Sequence, residues 1–340
     1  MSEITWAQQA VNGFFEGRQH PTQAQCDRIA QSVSGASTVR NVDTPGSTSY
    51  TVVCTGHHTA KQDLVVSFRE PEAYLDPGIL RLARAIHGSV VPEASQHGMV
   101  EGADPPLAIY MMPYLPGISC LDALGCEVEA DDNTVANYVC FIKHLAGYFA
   151  RCWSAQQHTT AETQVRRLRG MERRLALLME TPSVLDTAAV LPLQQSLPLL
   201  FAPEYPQVLT HGDLSKTNIL IDANTYEITG IVDWSLASVL PFGMELDSLY
   251  LMTGYMDRGG WHDYACRSWL HDVFWDTFWH LSGIKEGDRQ REVRDMAERA
   301  ARIGAVLRYA FRRNADGSPS EVPAPHDARA WSYLHAWLAT

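Results

Sequence analysis

Apolar positions in the first 115 residues change from helical to alternating spacing near residue 37. The residues before this point predict helix, interrupted near His20-Pro21. Short runs rich in Val, Thr and Tyr follow, and such residues favour strands. A later segment has apolar residues at helical spacing, which predicts a helix. The predicted strands are 37–43, 50–55, 63–69 and 107–112, and the predicted helix is 76–87. We therefore expect an antiparallel sheet lobe carrying one helix.

After the stiff connector Pro113–Gly117 the apolar positions recur mainly at helical spacing. A β-rich segment, 207–234, interrupts this pattern. The predicted helices are 132–153, 161–180, 263–283 and 293–307. The sequence thus predicts an α+β fold with two lobes, an N-terminal lobe of residues 1–115 and a larger, mainly helical lobe of residues 116–340.

The balance of charge excludes some classes of partner. The chain has 27 Lys and Arg against 39 Asp and Glu, a formal net charge of −12. Such an acidic chain is a poor binder of nucleic acid or anionic membranes. The seven cysteines are scattered and form no Cys-x-x-Cys pair, so they predict reduced thiols rather than a zinc site or disulfides. No basic-then-apolar leader and no run of about 20 apolar residues is present, so we expect a cytoplasmic protein.

Polar residues cluster at the ends of two short apolar strands in the segment VLTHGDLSKTNILIDANTYEITGIVDW, residues 208–234. Asp213 precedes the first strand, Asn218 opens it, and Asp233 follows the second strand. A turn at Asp222–Thr225 predicts that the strands form a hairpin. Because a hairpin brings these strand ends together, we expect two carboxylates and an amide to meet in one cleft.

This set of groups suits phosphoryl transfer from a magnesium nucleotide. Carboxylate and amide oxygens are ligands that Mg²⁺ prefers, which fits Asn218 and Asp233. A further carboxylate must orient the attacking hydroxyl, and Asp213 fits that role.

The two motifs also resemble those of a known family. HGDLSKTN at His211–Asn218 and GIVDW at Gly230–Trp234 are similar to the catalytic loop and metal motif of the aminoglycoside phosphotransferase and choline kinase superfamily. The resemblance is close to fungal members, which often continue into a Pro-Phe-Gly stretch, as at Pro241–Gly243. It implies a protein-kinase-like bilobal fold, with ATP or GTP as co-substrate. It also implies that Asp213 is the catalytic base, that Asn218 and Asp233 hold Mg²⁺, and that His211 braces the loop.

The same resemblance locates the nucleotide. In the family, a small-residue loop between the first two strands covers the phosphates, and Ser47, Thr48 and Ser49 occupy that position. A plain hairpin turn would also favour Gly and Ser here. The connector at Met112 and Tyr114 would contact the base through its backbone.

Two positions depart from the family pattern. The phosphate-binding Lys or Arg of the third strand falls on Ser67, and Arg69 lies two residues on, on the same face. Arg69 either reaches the phosphates or is an exposed residue at the strand end. The expected helix Glu falls on Ala85, and Glu70 or Glu72 are the candidate substitutes.

Aromatic and acidic residues follow the second motif, where relatives bind the acceptor. Together they would suit an ammonium group through ion pairing and cation–π contact, worth roughly 0.5–2 kcal/mol each. Helical spacing equally predicts that the tryptophans pack the core, and Asp247 would either orient substrate or cap a helix. The residues concerned are Trp261, Trp269, Trp275, Trp279, Asp257, Asp263, Asp272 and Asp276.

We therefore predict an ATP- or GTP-dependent kinase that phosphorylates a hydroxyl of a small molecule, with a cationic, amine-bearing metabolite as one candidate. The rival hypothesis is a nucleotide-binding pseudokinase acting as a regulatory module, which the departures at Ser67 and Ala85 favour. A protein kinase is disfavoured because HRD and DFG are lacking. Transfer of another nucleotide group, such as AMP, uses the same groups and stays open.

Overall fold

The computed structural model describes residues 5–56, 62–124, 132–314, 317–324 and 328–338. One of the seven cysteines, Cys126, lies outside these ranges. The helices are α1 (Trp6–Phe15), α2 (Gln23–Ser34), α3 (Pro77–His87), α4 (Cys120–Ala123), α5 (Asp132–Ser154), α6 (Ala161–Met179), α7 (Thr187–Ser196), α8 (Asp247–Met252), α9 (Arg267–Ser282), α10 (Gly287–Tyr309) and α11 (Ala328–Leu338). The strands are β1 (Thr38–Asn41), β2 (Ser49–Thr55), β3 (Leu64–Arg69), β4 (Ser95–Met99), β5 (Ala108–Pro113), β6 (Ile118–Ser119), β7 (Gln207–Thr210), β8 (Ile219–Ile221), β9 (Ile228–Ile231), β10 (Ser238–Pro241), β11 (Gly254–Asp257), β12 (Gly260–Asp263), β13 (Phe311–Arg313) and β14 (Pro319–Pro323).

The N-terminal part is a five-stranded antiparallel sheet in the order β1-β2-β3-β5-β4. Alternate residues of β2 and β3, among them Val52, Val66 and Phe68, are buried against α1 and α2. Strand β4 was not predicted from the sequence. All five of its residues are exposed, so it carries no apolar alternation to reveal it.

The C-terminal part is mainly helical, with α5 packed along α9. Phe274, Trp275 and Phe278 of α9 are buried in that interface. The predicted helix 263–283 was too long at its start. Helix α9 begins at Arg267, and β11 and β12 before it form a hairpin that turns at residues 258–259, after which Gly260 has φ of 123°.

The predicted hairpin between the two motifs is present as β8 and β9, and β6 extends it to a three-stranded sheet. The Val232 N–H donates to the Asn218 carbonyl at 2.9 Å, which places the two motif ends side by side.

The architecture agrees with the predicted two-lobed α+β fold. The predicted boundary after residue 115 falls between β5 and β6, and the division into lobes at that residue stays a prediction. Across the described ranges, no helix combines the length and apolar character that crossing a bilayer requires.

Candidate active site

A cleft of about 640 Å³ lies between the N-terminal sheet and the β8–β9 hairpin. Every residue that the sequence predicted for the nucleotide, metal and catalytic positions lines this cleft except His211, which is buried behind it. The lining residues among those predicted are Ser47, Thr48, Ser49, Ser67, Arg69, Met112, Tyr114, Asp213, Asn218 and Asp233. The structure therefore brings the predicted nucleotide, metal and catalytic positions together.

The loop that carries Asp213 is held from behind by His211. The Asp213 backbone N–H donates to His211 Nδ1 at 3.2 Å, so the neutral ring carries its hydrogen on Nε2. Nε2 in turn lies 2.8 Å from the Val232 carbonyl, to which it donates. Gly212 has φ of 82°, and a Cβ there would lie 2.2 Å from the carbonyl oxygen of Leu236. Only glycine fits this turn.

A buried carboxylate that the sequence analysis missed also holds this loop. Glu245 accepts hydrogen bonds from the backbone N–H groups of His211 at 2.9 Å and Gly212 at 2.7 Å. The hydroxyl of Tyr148 donates to it at 3.1 Å. The available signal was an acidic residue inside an otherwise apolar stretch, since a buried carboxylate requires partners.

Asp213 and Asn218 contact each other directly. The Asn218 Nδ2 donates to the Asp213 backbone carbonyl at 2.9 Å and to Asp213 Oδ2 at 3.0 Å. Because Nδ2 makes both bonds, the amide oxygen of Asn218 takes no part in this pair. That oxygen and the carboxylate of Asp233 are the hard oxygen donors of the cleft that fit a magnesium ion.

Asp233 adopts a left-handed backbone conformation, with φ of 64°, directly after β9. Its Oδ1 accepts from Arg69 Nη1 at 2.9 Å and from Ser235 Oγ at 3.0 Å. Burial disfavours the charged form of Asp233, but the Arg69 guanidinium and its hydrogen bond offset burial and hold the pKa below its usual value. Asp233 is therefore an anion at neutral pH.

Arg69 is 6% exposed, which rules out the alternative of an exposed arginine at the strand end. Its Nε donates to Ser67 Oγ at 3.1 Å, and Ser67 Oγ lies 2.8 Å from the hydroxyl of Thr51. Ser67 thus stabilises the side chain of Arg69, which extends from the end of β3 to Asp233.

The expected glutamate partner on the helix that follows β3 is not found at the positions considered. Ala85 is exposed on α3 and does not line the cleft. Glu70 pairs with Arg18 instead, and Glu72 is exposed. The carboxylate that pairs with Arg69 is Asp233.

The connector of the two parts has one hydrogen-bonding edge turned away from β3. The Tyr114 N–H donates to the Asp63 carbonyl at 2.9 Å, so it is not available to a base. Backbone groups alternate in direction along a strand. The Pro113 carbonyl therefore points to the other side, and Pro113 and Leu115 both line the cleft.

The aromatic and acidic residues of 255–280 do not assemble at the cleft, and none of the eight lines it. Trp275 is buried and stacks on Trp279 at 5.0 Å, while Trp269 is 45% exposed. The Trp261 indole N–H donates to Asp263. The core-packing alternative holds for Trp275, and the eight residues form no ammonium site in this cleft.

Asp247 is the first residue of α8, and the residue at the cap position before it, Leu246, makes no side-chain capping hydrogen bond. Asp247 is 3% exposed, and its Oδ2 lies 3.5 Å from Nε of Arg308. Burial raises the pKa of Asp247 to about 6, with Arg308 acting in the opposite direction. The same guanidinium contacts Asp213 at 2.9 Å, and nothing in the local sequence indicated Arg308.

Comparisons with known proteins agree with this geometry. A profile of the family described as phosphotransferase enzyme family matches residues 57–276. The structure is similar to ethanolamine kinase of Plasmodium vivax, at 11% identity and a TM-score of 0.56, over 99% of this chain and 95% of that one. It is also similar to macrolide 2′-phosphotransferase of Brachybacterium faecium, at 17% identity and a TM-score of 0.50, over 94% of this chain and 97% of that one. A search of curated protein sequences finds no significant match. The protein-kinase-like bilobal fold and the family resemblance are thereby confirmed.

Proposed function

Because the chain belongs to the phosphotransferase enzyme family and is a small-molecule kinase by that membership, we propose that it transfers the γ-phosphoryl group of ATP to a hydroxyl of its acceptor. The observation that carries this proposal is the meeting of Asp213, Asn218, Asp233 and Arg69 in one cleft. In phosphoryl transfer the protein contributes mainly position and charge, and these four groups supply both.

Each group has a role that follows from its contacts. Asp213, with its carboxylate at the cleft, orients the acceptor hydroxyl and accepts its proton. Asn218 and Asp233 would hold Mg²⁺, which would neutralise negative charge on the phosphates. Arg69 is the buried cation beside them, and its guanidinium binds phosphate oxygens in place of the usual β3 lysine.

The connector supports adenine as the base. Adenine offers an amino donor next to a ring-nitrogen acceptor, and guanine offers the reverse pattern at that edge. The Pro113 carbonyl, which points away from β3, can accept from the amino group of adenine, whereas guanine carries a carbonyl oxygen at the corresponding position. We therefore propose ATP rather than GTP.

The acceptor end of the proposal concerns charge. Asp43 and Asp122 line the same cleft in addition to the two motif carboxylates. These groups favour an acceptor that carries an amine beside its hydroxyl.

The rival pseudokinase hypothesis depended on Ser67 and Ala85. Ser67 supports Arg69 and Ala85 does not line the cleft, so neither position speaks against turnover.

The test is a calorimetric titration of ATP and GTP, each with and without Mg²⁺, into wild type, Asp233→Ala and Asp276→Ala. Asp276 is exposed on α9 outside the cleft and is the matched control. We expect magnesium-dependent ATP binding that Asp233→Ala loses and Asp276→Ala keeps. Phosphorylation of a panel of amino alcohols and polyols should follow, and Asp213→Ala should abolish it. Tight ATP binding with no transfer and no hydrolysis would refute the proposed kinase activity. Transfer of AMP would show that the enzyme moves a different group of the nucleotide.

A further inference from the structure

Arg308 lies in the last turn of α10, and its guanidinium is aimed at the catalytic loop. Nη1 donates to Asp213 Oδ1 at 2.9 Å, and Nη2 donates to the Gly212 carbonyl at 2.7 Å. Nε lies 3.5 Å from Asp247 Oδ2. The side chain is 12% exposed, so these contacts are largely shielded from solvent. One cation thus joins the proposed base, the backbone beside it and a buried acid.

The catalytic loop's own cation is directed elsewhere. Lys216 donates to the Gly254 carbonyl at 2.8 Å, and its ammonium lies 5.7 Å from the ring centre of Tyr264. The positive charge at Asp213 therefore comes from a helix 95 residues further along the chain.

Each oxygen of the Asp213 carboxylate accepts a hydrogen bond from a different side chain. Oδ1 accepts from Arg308 and Oδ2 accepts from Asn218. Two directional bonds to the two oxygens fix the plane of the carboxylate, and charge-assisted bonds of this kind are the strong ones. An orienting group must be held to within fractions of an ångström to be effective.

The acids around Arg308 keep it charged. Burial works against the cation, but Asp247, Asp213 and Glu245 outweigh it and raise the pKa of Arg308. Three carboxylates would otherwise face one another in a shielded site, which is costly unless a cation pairs with them.

We propose that Arg308 is a positioning residue for the reaction: its guanidinium fixes the orientation of the Asp213 carboxylate towards the acceptor hydroxyl. The inference rests on the proposed function of Asp213. It predicts that loss of Arg308 lowers kcat while the nucleotide still binds, since Arg308 does not line the nucleotide cleft.

The experiment compares wild type with Arg308→Ala, Arg308→Lys and the control Arg312→Ala, which removes an exposed cation of β13. Steady-state phosphorylation is measured with and without added guanidinium chloride at concentrations that leave wild type unaffected. For Arg308→Ala we expect kcat to fall on the order of 100-fold, the effect of a misplaced catalytic group, with the KM for ATP unchanged. Free guanidinium should restore part of kcat, and Arg308→Lys should fall between the two.

A second readout does not depend on turnover. The side-chain amide of Asn218 donates to Asp213, so its NMR signals report where the carboxylate lies. Arg308→Ala should shift these signals, and guanidinium should return them towards their wild-type positions. Unchanged signals in Arg308→Ala, or a loss of kcat that guanidinium does not restore in a protein that still binds ATP, would overturn the proposal. If wild type itself shows no turnover, the proposed function fails, and the Asn218 signals alone decide whether Arg308 positions Asp213.

Discussion

Replacing Glu245 with glutamine keeps the shape of this buried side chain and exchanges one carboxylate oxygen for an amide NH₂ group. In the wild type one oxygen accepts from Gly212, and the other accepts from His211 and Tyr148. A glutamine can turn its oxygen to only one of these sides. Whichever way it turns, one backbone N–H of the catalytic loop faces an NH₂ group and loses its acceptor.

The magnitude follows from that count. A hydrogen bond to a charged group contributes about 1.5–3 kcal/mol, and a buried donor left without an acceptor costs about 1–3 kcal/mol. We therefore expect Glu245→Gln to lower the free energy of unfolding by about 2–4 kcal/mol. Tyr148→Phe removes one hydrogen bond to this carboxylate without leaving a buried donor unpaired, so it should cost about 1.5 kcal/mol, the low end of the range for such a bond.

The assay is urea-induced unfolding of the wild type and both variants, followed by fluorescence, with phosphorylation rates measured in parallel. Because the weakened contacts hold the loop before Asp213, Glu245→Gln should also lower kcat, while Tyr148→Phe should leave it close to wild type. A Glu245→Gln protein that is no less stable than Tyr148→Phe would refute the claim that this carboxylate holds the loop.

Three further predictions concern the cleft and its surroundings. Arg69→Met should weaken Mg-ATP binding about 10- to 100-fold in calorimetry, as loss of a charge-assisted bond of about 1.5–3 kcal/mol implies, and unchanged affinity would contradict its phosphate-binding role. The raised pKa of Asp247, about 6, means that its contribution to stability is fully present below its unfolded pKa of 3.8 and is lost as pH rises through 6. Unfolding measured from pH 4 to 7 should therefore show Asp247→Asn gaining up to about 3 kcal/mol relative to wild type, with the exposed Asp276→Asn as the matched control. Gly212→Ala should abolish phosphorylation, because its Cβ would overlap a backbone carbonyl. Gly170→Ala, in an open helical position, should be neutral or slightly stabilising by up to about 1 kcal/mol, and equal effects of the two would argue against a steric demand at the loop.

The sequence predicted the parts of the site that lie close together along the chain. Asp213, Asn218 and Asp233 belong to one hairpin, so strand spacing alone indicated that they converge. The shared face of Ser67 and Arg69 likewise followed from the two-residue period of a strand. These relations are local, and local periodicity determines them.

The residues that escaped prediction act through contacts far apart in sequence. Glu245 lies 34 residues beyond the backbone N–H of His211, and Arg308 lies 95 residues beyond Asp213. Their partners depend on how α8 and α10 pack behind the catalytic loop, which no spacing rule encodes. For the aromatic residues of α9 the error was the reverse: a ligand site was predicted where the structure has none in the cleft. Their composition suggested a ligand site, whereas the buried ones pack against α5 in the hydrophobic core.

The ion pair between Arg69 and Asp233 has a thermodynamic consequence for ligand binding. It joins the group proposed to bind phosphate with the group proposed to bind metal, 2.9 Å apart. A ligand that binds either member of the pair breaks the ion pair. The second ligand then binds a group that is already unpaired, so the free-energy cost of breaking the pair is incurred only once for the two ligands. Metal ion and nucleotide should therefore bind with positive coupling, and each should raise the affinity of the other by the same factor.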